Sequence, residues 1–138
     1  MTVRAGRRSD ESALRTLQRH LREPSPSLLS HGLGTDGVLV DDAADGPAGY
    51  LLAVDGDGRH VAELVVRPER RREGRATALL ERLVDTATGP VTLLVAVDNE
   101  PARRLYDSLG FRERERRPDF YDDGTDALLL GRDADRPG

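Results

Sequence analysis

The sequence predicts an α/β fold of one domain. Val61, Ala62, Leu64, Val65 and Val66 form a mostly apolar run, long enough for a central strand and too short for a helix. From Ala76 the apolar residues recur at Leu79, Leu80, Leu83, Val84 and Ala87, which is the series of one helix face, and Val91–Val97 is again β-rich. A strand, a helix and a strand in that order predict a right-handed crossover, with Val91–Val97 parallel beside Val61–Val66. With 138 residues there is enough chain for a single core and not for two, so one domain spanning 1–138 is expected.

Taken in order, Thr2–Ala5 reads as a short first strand. Ser9, Asp10 and Glu11 supply an N-cap and first-turn carboxylates to a helix whose face carries Leu14, Leu17 and Leu21, and Pro24 and Pro26 break it. Ser27–Leu33 reads as a second short helix. Val38–Val40 and Gly49–Val54 are the next strands, joined through an Asp/Ala/Gly-rich loop. Asp55–Gly58 is a turn, because Gly and Asp accept positive φ; it lacks the spaced oxygen ligands and terminal Glu of a calcium loop. The strand His60–Val66 then feeds an arginine-rich turn and the long helix, which Gly89-Pro90 ends. Beyond Val97, Asn99 or Asp98 caps a helix with Pro101 in its first turn; Ala102, Leu105, Tyr106 and Leu109 share a face and Gly110 takes the C′ position. Phe111 opens a strand with the alternating charge of a solvated edge, Arg112–Arg117. An apolar strand closes at Leu130, and Asp133–Gly138 reads as a frayed tail.

The turn between strand and long helix carries the chemistry. A helix start leaves N–H groups without intrahelical partners and carries the positive end of the helix dipole, so small residues there let the backbone wrap a phosphate. Gly74 and Ala76 are small, and Arg70, Arg71, Arg72 and Arg75 add cations suited to a diphosphate and a neighbouring phosphate. The plainer alternative is a solvated basic helix start.

Arg71-Arg72-Glu73-Gly74-Arg75-Ala76 resembles the Q/R-x-x-G-x-G/A signature of the GNAT superfamily of acyl-CoA-dependent N-acyltransferases, with Val66-x-Pro68 before it as in that family. Asn99-Glu100-Pro101-Ala102 followed by Leu105-Tyr106-Asp107-Ser108-Leu109-Gly110-Phe111 resembles the family's second segment, N-x-x-A-x-x-L-Y-x-x-x-G-F. Arg72 departs from the pattern, since the family often has Gly there; it is tolerable if the residue faces solvent. The likeness is clear from about Tyr50 to Leu130 and implies a GNAT fold, a mixed and mostly antiparallel sheet with flanking helices. It also implies acetyl-CoA as cosubstrate, held by Leu64, Val65, Val66, Arg71, Arg72, Glu73, Gly74, Arg75, Ala76, Thr77, Asn99, Ala102 and Tyr106. In that family the two central parallel strands splay to admit the pantetheine arm.

For Tyr106, core packing is the ordinary reading; the resemblance makes it the acid that protonates the departing thiolate, a role a neutral phenol suits. The base is His60 or Glu63. Their opposite parity on one strand keeps both from facing the same site, and His60 is preferred for its pKa near ~6.5, against the alternative of a plain strand-edge histidine. Leu28, Leu29 and His31 fall where the family walls its acceptor site, although His31 also reads as a surface loop residue. Phe120 and Tyr121, followed by Gly124 and Asp126-Ala127, resemble the acceptor-groove ending of ribosomal-protein alanine N-acetyltransferases. Phe120 replaces the first tyrosine of that pair, and Leu94 stands where that subgroup has a catalytic Glu. The acceptor expected is therefore a primary amine, with a protein or peptide N-terminus first and a polyamine, amino acid or antibiotic as alternatives. A non-catalytic CoA- or nucleic-acid-binding module is the reading from another class.

Composition narrows these options. There is no cysteine, which excludes disulfides, a Cys–zinc site and a cysteine nucleophile, so transfer must be direct; no metal is expected. All 21 basic residues are arginine. The runs Arg67–Arg75 and Arg112–Arg117 invite nucleic acid, but acidic residues interrupt both, net charge is −4 and aromatics are 4%. No stretch approaches the ~18 apolar residues of a membrane span, and no signal-peptide pattern opens the chain, so no membrane partner and a cytoplasmic protein are expected. A homodimer is left open.

Overall fold

The computed structural model describes residues 2–133, and the chain divides into two compact units, residues 2–54 with 62–83 and residues 55–61 with 84 onward. Its strands are β1 (Thr2–Ala5), β2 (Val38–Ala43), β3 (Gly46–Asp55), β4 (Arg59–Val66), β5 (Val91–Ala96), β6 (Arg112–Arg117) and β7 (Ala127–Arg132). Its helices are α1 (Glu11–Gln18), α2 (Pro26–Leu33), α3 (Arg75–Thr86) and α4 (Glu100–Ser108), with 3-10 turns at Arg8–Asp10 and Pro68–Arg70. β1–β2, β2–β3, β5–β7 and β6–β7 pair antiparallel and β4–β5 pairs parallel, which is the mixed, mostly antiparallel arrangement expected.

In the first unit hydrogen-bonded neighbours run β1-β2-β3-β4. Leu14 and Leu17 of α1, Leu29 and Leu33 of α2, Val38 and Val40 of β2, Tyr50 and Leu52 of β3 and Val65 of β4 are one buried cluster. The helices supply i, i+3 and i+4 pairs to it and the strands supply alternate residues, so two periodicities meet in one core. Helix α1 stops at Gln18, earlier than its apolar series suggests: the amides of His20 and Leu21 bond back to Leu17 and Gln18 as turns, and Leu21 packs against the core from there. β2 runs on past Val40 to Ala43, because its continuation pairs with β3 across the two-residue turn Ala44–Asp45, where a longer loop was expected. The register jumps from Asp41↔Gly49 to Asp42↔Pro47, so Ala48 is an extra residue in β3. Its carbonyl accepts the Arg67 amide at 2.7 Å, just after β4 ends. Arg4 ties β1 to this region, reaching Asp42 at 2.6 Å and Asp10 at 2.9 Å.

In the second unit the neighbours are the start of β4, then β5, β7 and β6. The parallel register sets Arg59, His60 and Val61 opposite Val91, Thr92 and Leu93. Val91, Leu93, Val95, Phe111, Leu128 and Leu130 are buried. Gly110, at φ 88°, ends α4 as expected, and the Phe111 amide closes the cap on the Tyr106 carbonyl at 3.0 Å. β6 is exposed along its whole length. Asp133 takes a 2.8 Å ion pair from Arg114, whereas the rest of the expected tail lies outside the described residues. Among the described residues no helix is long and apolar enough to cross a membrane.

Candidate active site

In the first unit, β4 delivers the chain into the turn. Glu63 and Val65 are buried, whereas Ala62 is exposed and Leu64 half-buried, as strand alternation requires. Beyond Val66 the 3-10 turn Pro68–Arg70 leads to two left-handed residues, Arg72 at φ 65° and Gly74 at φ 79°. The Ala78 amide then bonds to the Gly74 carbonyl at 3.0 Å, which starts α3. A left-handed Arg72 explains why glycine is the usual residue in the signature: a side chain there costs about 1–2 kcal/mol. It is tolerated because Arg72 points to solvent, as expected. A Cβ built on Gly74 meets nothing within 4 Å, so no described part of the chain crowds the turn at that point.

The arginines of the turn do unlike things, and here the structure corrects the sequence. Arg75 was expected to offer its side chain to an anion. Its guanidinium is instead turned inward, 2.9 Å from Asp41, which is fully buried, and 2.9 Å from Glu73. A buried carboxylate needs a paired cation, and Arg75 is the one within reach. The same guanidinium holds the Glu73 carboxyl below its usual pKa range. Arg71 donates through Nε to the Val66 carbonyl at 3.2 Å, and Arg70 pairs with Asp45 at 3.2 Å. Arg72 makes no ion pair among the described residues. Ala76 and Thr77, half-buried, complete the first turn of α3.

Glu63 is 5% exposed and sits in a polar cluster that periodicity did not reveal. Its Oε1 accepts from Tyr50 Oη at 2.8 Å and Gln18 Nε2 at 3.0 Å; its Oε2 accepts from the Ser25 amide at 2.9 Å and Gln18 Nε2 at 3.2 Å. Burial first, and then the Glu63 charge, push the Tyr50 phenol far above its ordinary pKa. Gln18 was detectable in principle, as a polar residue four after Leu14 on a core-facing helix. On α2, which spans the helix expected at Ser27–Leu33, Leu28 packs against the core, whereas His31 is exposed.

In the second unit, Tyr106 is half-buried on α4, with its ring edge-on to Phe111 at 6.2 Å between centroids. Burial, with a smaller contribution from Tyr121, pushes its phenol up to about 12, so it keeps its proton at neutral pH. Its hydroxyl makes no hydrogen bond among the described residues. Phe120 and Tyr121 stack edge to face at 5.0 Å, Phe120 being 39% exposed. Their loop is pinned by the Asp119 amide on Asp126 at 2.8 Å and the Tyr121 amide on the Thr125 carbonyl. Asn99 acts as the N-cap of α4, its side chain accepting from the Ala102 amide at 3.4 Å. His60 Nδ1 lies 2.8 Å from Thr92 Oγ1. Burial first and the Arg117 charge second lower its pKa, which makes it a neutral imidazole at pH 7.

Comparison with known proteins gives this geometry its family. The sequence pattern of the acetyltransferase (GNAT) family matches residues 7–111. An uncharacterised N-acetyltransferase of Methanocaldococcus jannaschii is 31% identical over 140 residues, covering 94% of this chain and 90% of its own length. The N-alpha-acetyltransferase of Saccharolobus solfataricus is 38% identical over 78 residues, covering 53% of this chain and 47% of its own. Among solved structures, the ribosomal-protein-S18-alanine N-acetyltransferase of Escherichia coli superposes with a TM-score of 0.87 at 25% identity, over 99% of this chain and 96% of that one. With the family pattern across three quarters of its length and a full-length N-acetyltransferase relative, this chain belongs to the GNAT family of acetyltransferases.

Proposed function

We propose that the chain works as one acetyltransferase domain that transfers acetyl directly from acetyl-CoA to a primary amine, with a protein or peptide N-terminus as acceptor. The observation that carries the reading is the turn from Val66 to Thr77, where left-handed residues at 72 and 74 open onto the first amides of α3 with free space over Gly74. The first amides of α3, with those of the turn from Arg71 onward, bind a diphosphate, and the dipole of the helix adds to their pull. Arg75 contributes its backbone, its side chain being held by Asp41. Backbone near Val66 polarises a thioester carbonyl. Acetyl-CoA supplies the activated acyl group and a thiolate leaving group.

Tyr106 donates its phenolic proton to the departing sulfur, and its burial favours the protonated form that this requires. His60, neutral at pH 7, takes the proton that the attacking amine releases, through water. Asn99 and Ala102 border the cosubstrate; Leu28, His31, Phe120 and Tyr121 border the acceptor. The names of the archaeal N-alpha-acetyltransferase and of the bacterial ribosomal-protein enzyme support a polypeptide acceptor. A cytoplasmic setting fits such a substrate, and the oligomeric state is left to measurement.

Calorimetric titration with acetyl-CoA, followed by thiol release on adding alanine-initiated peptides or small amines, tests the reading. Binding with release on peptides is the expected result; release with small amines alone would move the acceptor to a metabolite, and no binding would end the proposal. Tyr106→Phe is expected to bind acetyl-CoA as the parent does and to lose about a hundredfold in turnover. Unchanged turnover would remove the acid role.

A further inference from the structure

We infer that Glu63 is a positioning residue that fastens the connection between α1 and α2, and that it does not serve as the base. The inference rests on the acceptor lying against α2, as proposed above.

Lone-pair accounting carries the argument. An ionised carboxylate offers about four acceptor positions and no donor. At Glu63 the four contacts come from Tyr50 Oη, the Ser25 amide and Gln18 Nε2, which reaches both oxygens, at 2.8 to 3.2 Å. A base needs a free lone pair aimed at the incoming proton, and each position here is claimed. Protonating Glu63 would also turn an acceptor into an O–H; the Ser25 and Gln18 nitrogens can only donate, so the new proton would have to go to Tyr50 Oη and reverse that bond.

The three partners come from three elements. Gln18 is the last residue of α1, Ser25 is the N-cap residue of α2, and Tyr50 belongs to β3. Glu63 on β4 thus holds both ends of the segment 19–24, and with it the start of the helix that bears Leu28 and His31. Its charge also lies at the positive end of α2, where an anion is favoured.

Hydrogen exchange of the full chain is the first arm of the test, because it needs no acceptor. In Glu63→Gln the Ser25 amide is expected to exchange about tenfold faster while β3 amides keep their protection; unchanged Ser25 exchange would overturn the inference. The second arm is kinetics with acetyl-CoA and a short peptide with a free N-terminal alanine. The peptide KM is expected to rise about fivefold, while the KM for acetyl-CoA and the ascending limb of kcat against pH stay in place. Loss of that limb with an unchanged peptide KM would make Glu63 the base and overturn the inference. If the parent acetylates no peptide, the activity reading fails and the exchange arm still decides the fastening role. If Glu63→Gln does not fold, Gln18→Met decides instead. It keeps the side-chain length and removes the amide that reaches both oxygens, so Ser25 exchange is expected to quicken about threefold; no change would refute the fastener.

Discussion

The two arginine runs look alike in sequence and differ in almost every physical respect. In Arg67–Arg75 four of the five arginines are directed at specific acceptors: Arg67 and Arg70 at Asp45, Arg71 at the Val66 carbonyl and Arg75 at buried Asp41. In Arg112–Arg117 every residue is exposed on an edge strand, and the arginines pair with the exposed Asp107, Asp133 and Glu115 and with the half-buried Asp126. The first run builds a turn. The second keeps a sheet edge charged and bulged, which discourages pairing with other chains. Burial of the partner decides what an arginine contributes, and composition carries no record of it.

The sharpest way to break this contrast is Asp41→Ala. Losing the buried partner and leaving the Arg75 guanidinium to the more exposed Glu73 alone should cost about 1.5–3 kcal/mol in denaturant unfolding. A loss under about 1 kcal/mol would place Arg75 on the same footing as the edge-strand arginines. Next in size is Arg72→Gly. Relief of the left-handed side chain outweighs the added freedom of glycine in the unfolded chain, so a gain of up to about 1 kcal/mol is expected, and destabilisation would count against strain at that position. Arg116→Gln should change stability by less than about 0.5 kcal/mol, because its pair with Asp126 is solvated. The smallest effect expected is that of Arg117→Gln on His60, followed by NMR titration of the imidazole. Removing that positive charge should raise the His60 pKa toward its ordinary value without restoring it, because burial is the larger cause. For the parent, a lowered folded-state pKa means that the unfolded chain binds the extra proton first. The His60 contribution to stability is present above about pH 6.5 and is lost as pH falls through the lower folded value.

What the sequence made legible was local. The face Leu79, Leu80, Leu83 marks α3 by spacing alone, Gly110 marks the end of α4, and parity sets His60 and Glu63 on opposite faces of β4. What it hid was non-local. Asp41 and Asp42 read as loop because two adjacent carboxylates suggest solvent, yet Asp41 is buried by a guanidinium 34 residues away. Tyr50, Gln18 and Ser25 gave no sign of converging on Glu63, since the contacts span 13, 45 and 38 residues. The turn into α3 could be found from its signature, whereas the inward fate of Arg75 depended on a partner that no short motif contains.

The extra residue at Ala48 bears on how this chain tolerates changes of length. Deleting it would erase the bulge and leave the other pairings as they stand, because Gly49 and Pro47 already oppose the adjacent residues Asp41 and Asp42. The Ala48 carbonyl that receives the Arg67 amide would vanish with it. A residue added at the Ala44–Asp45 turn would only lengthen a hairpin tip. In a library of single-codon deletions scored for folding, loss of Ala48 should therefore cost less than loss of Tyr50 or Leu52, paired residues whose removal slips the register of β3.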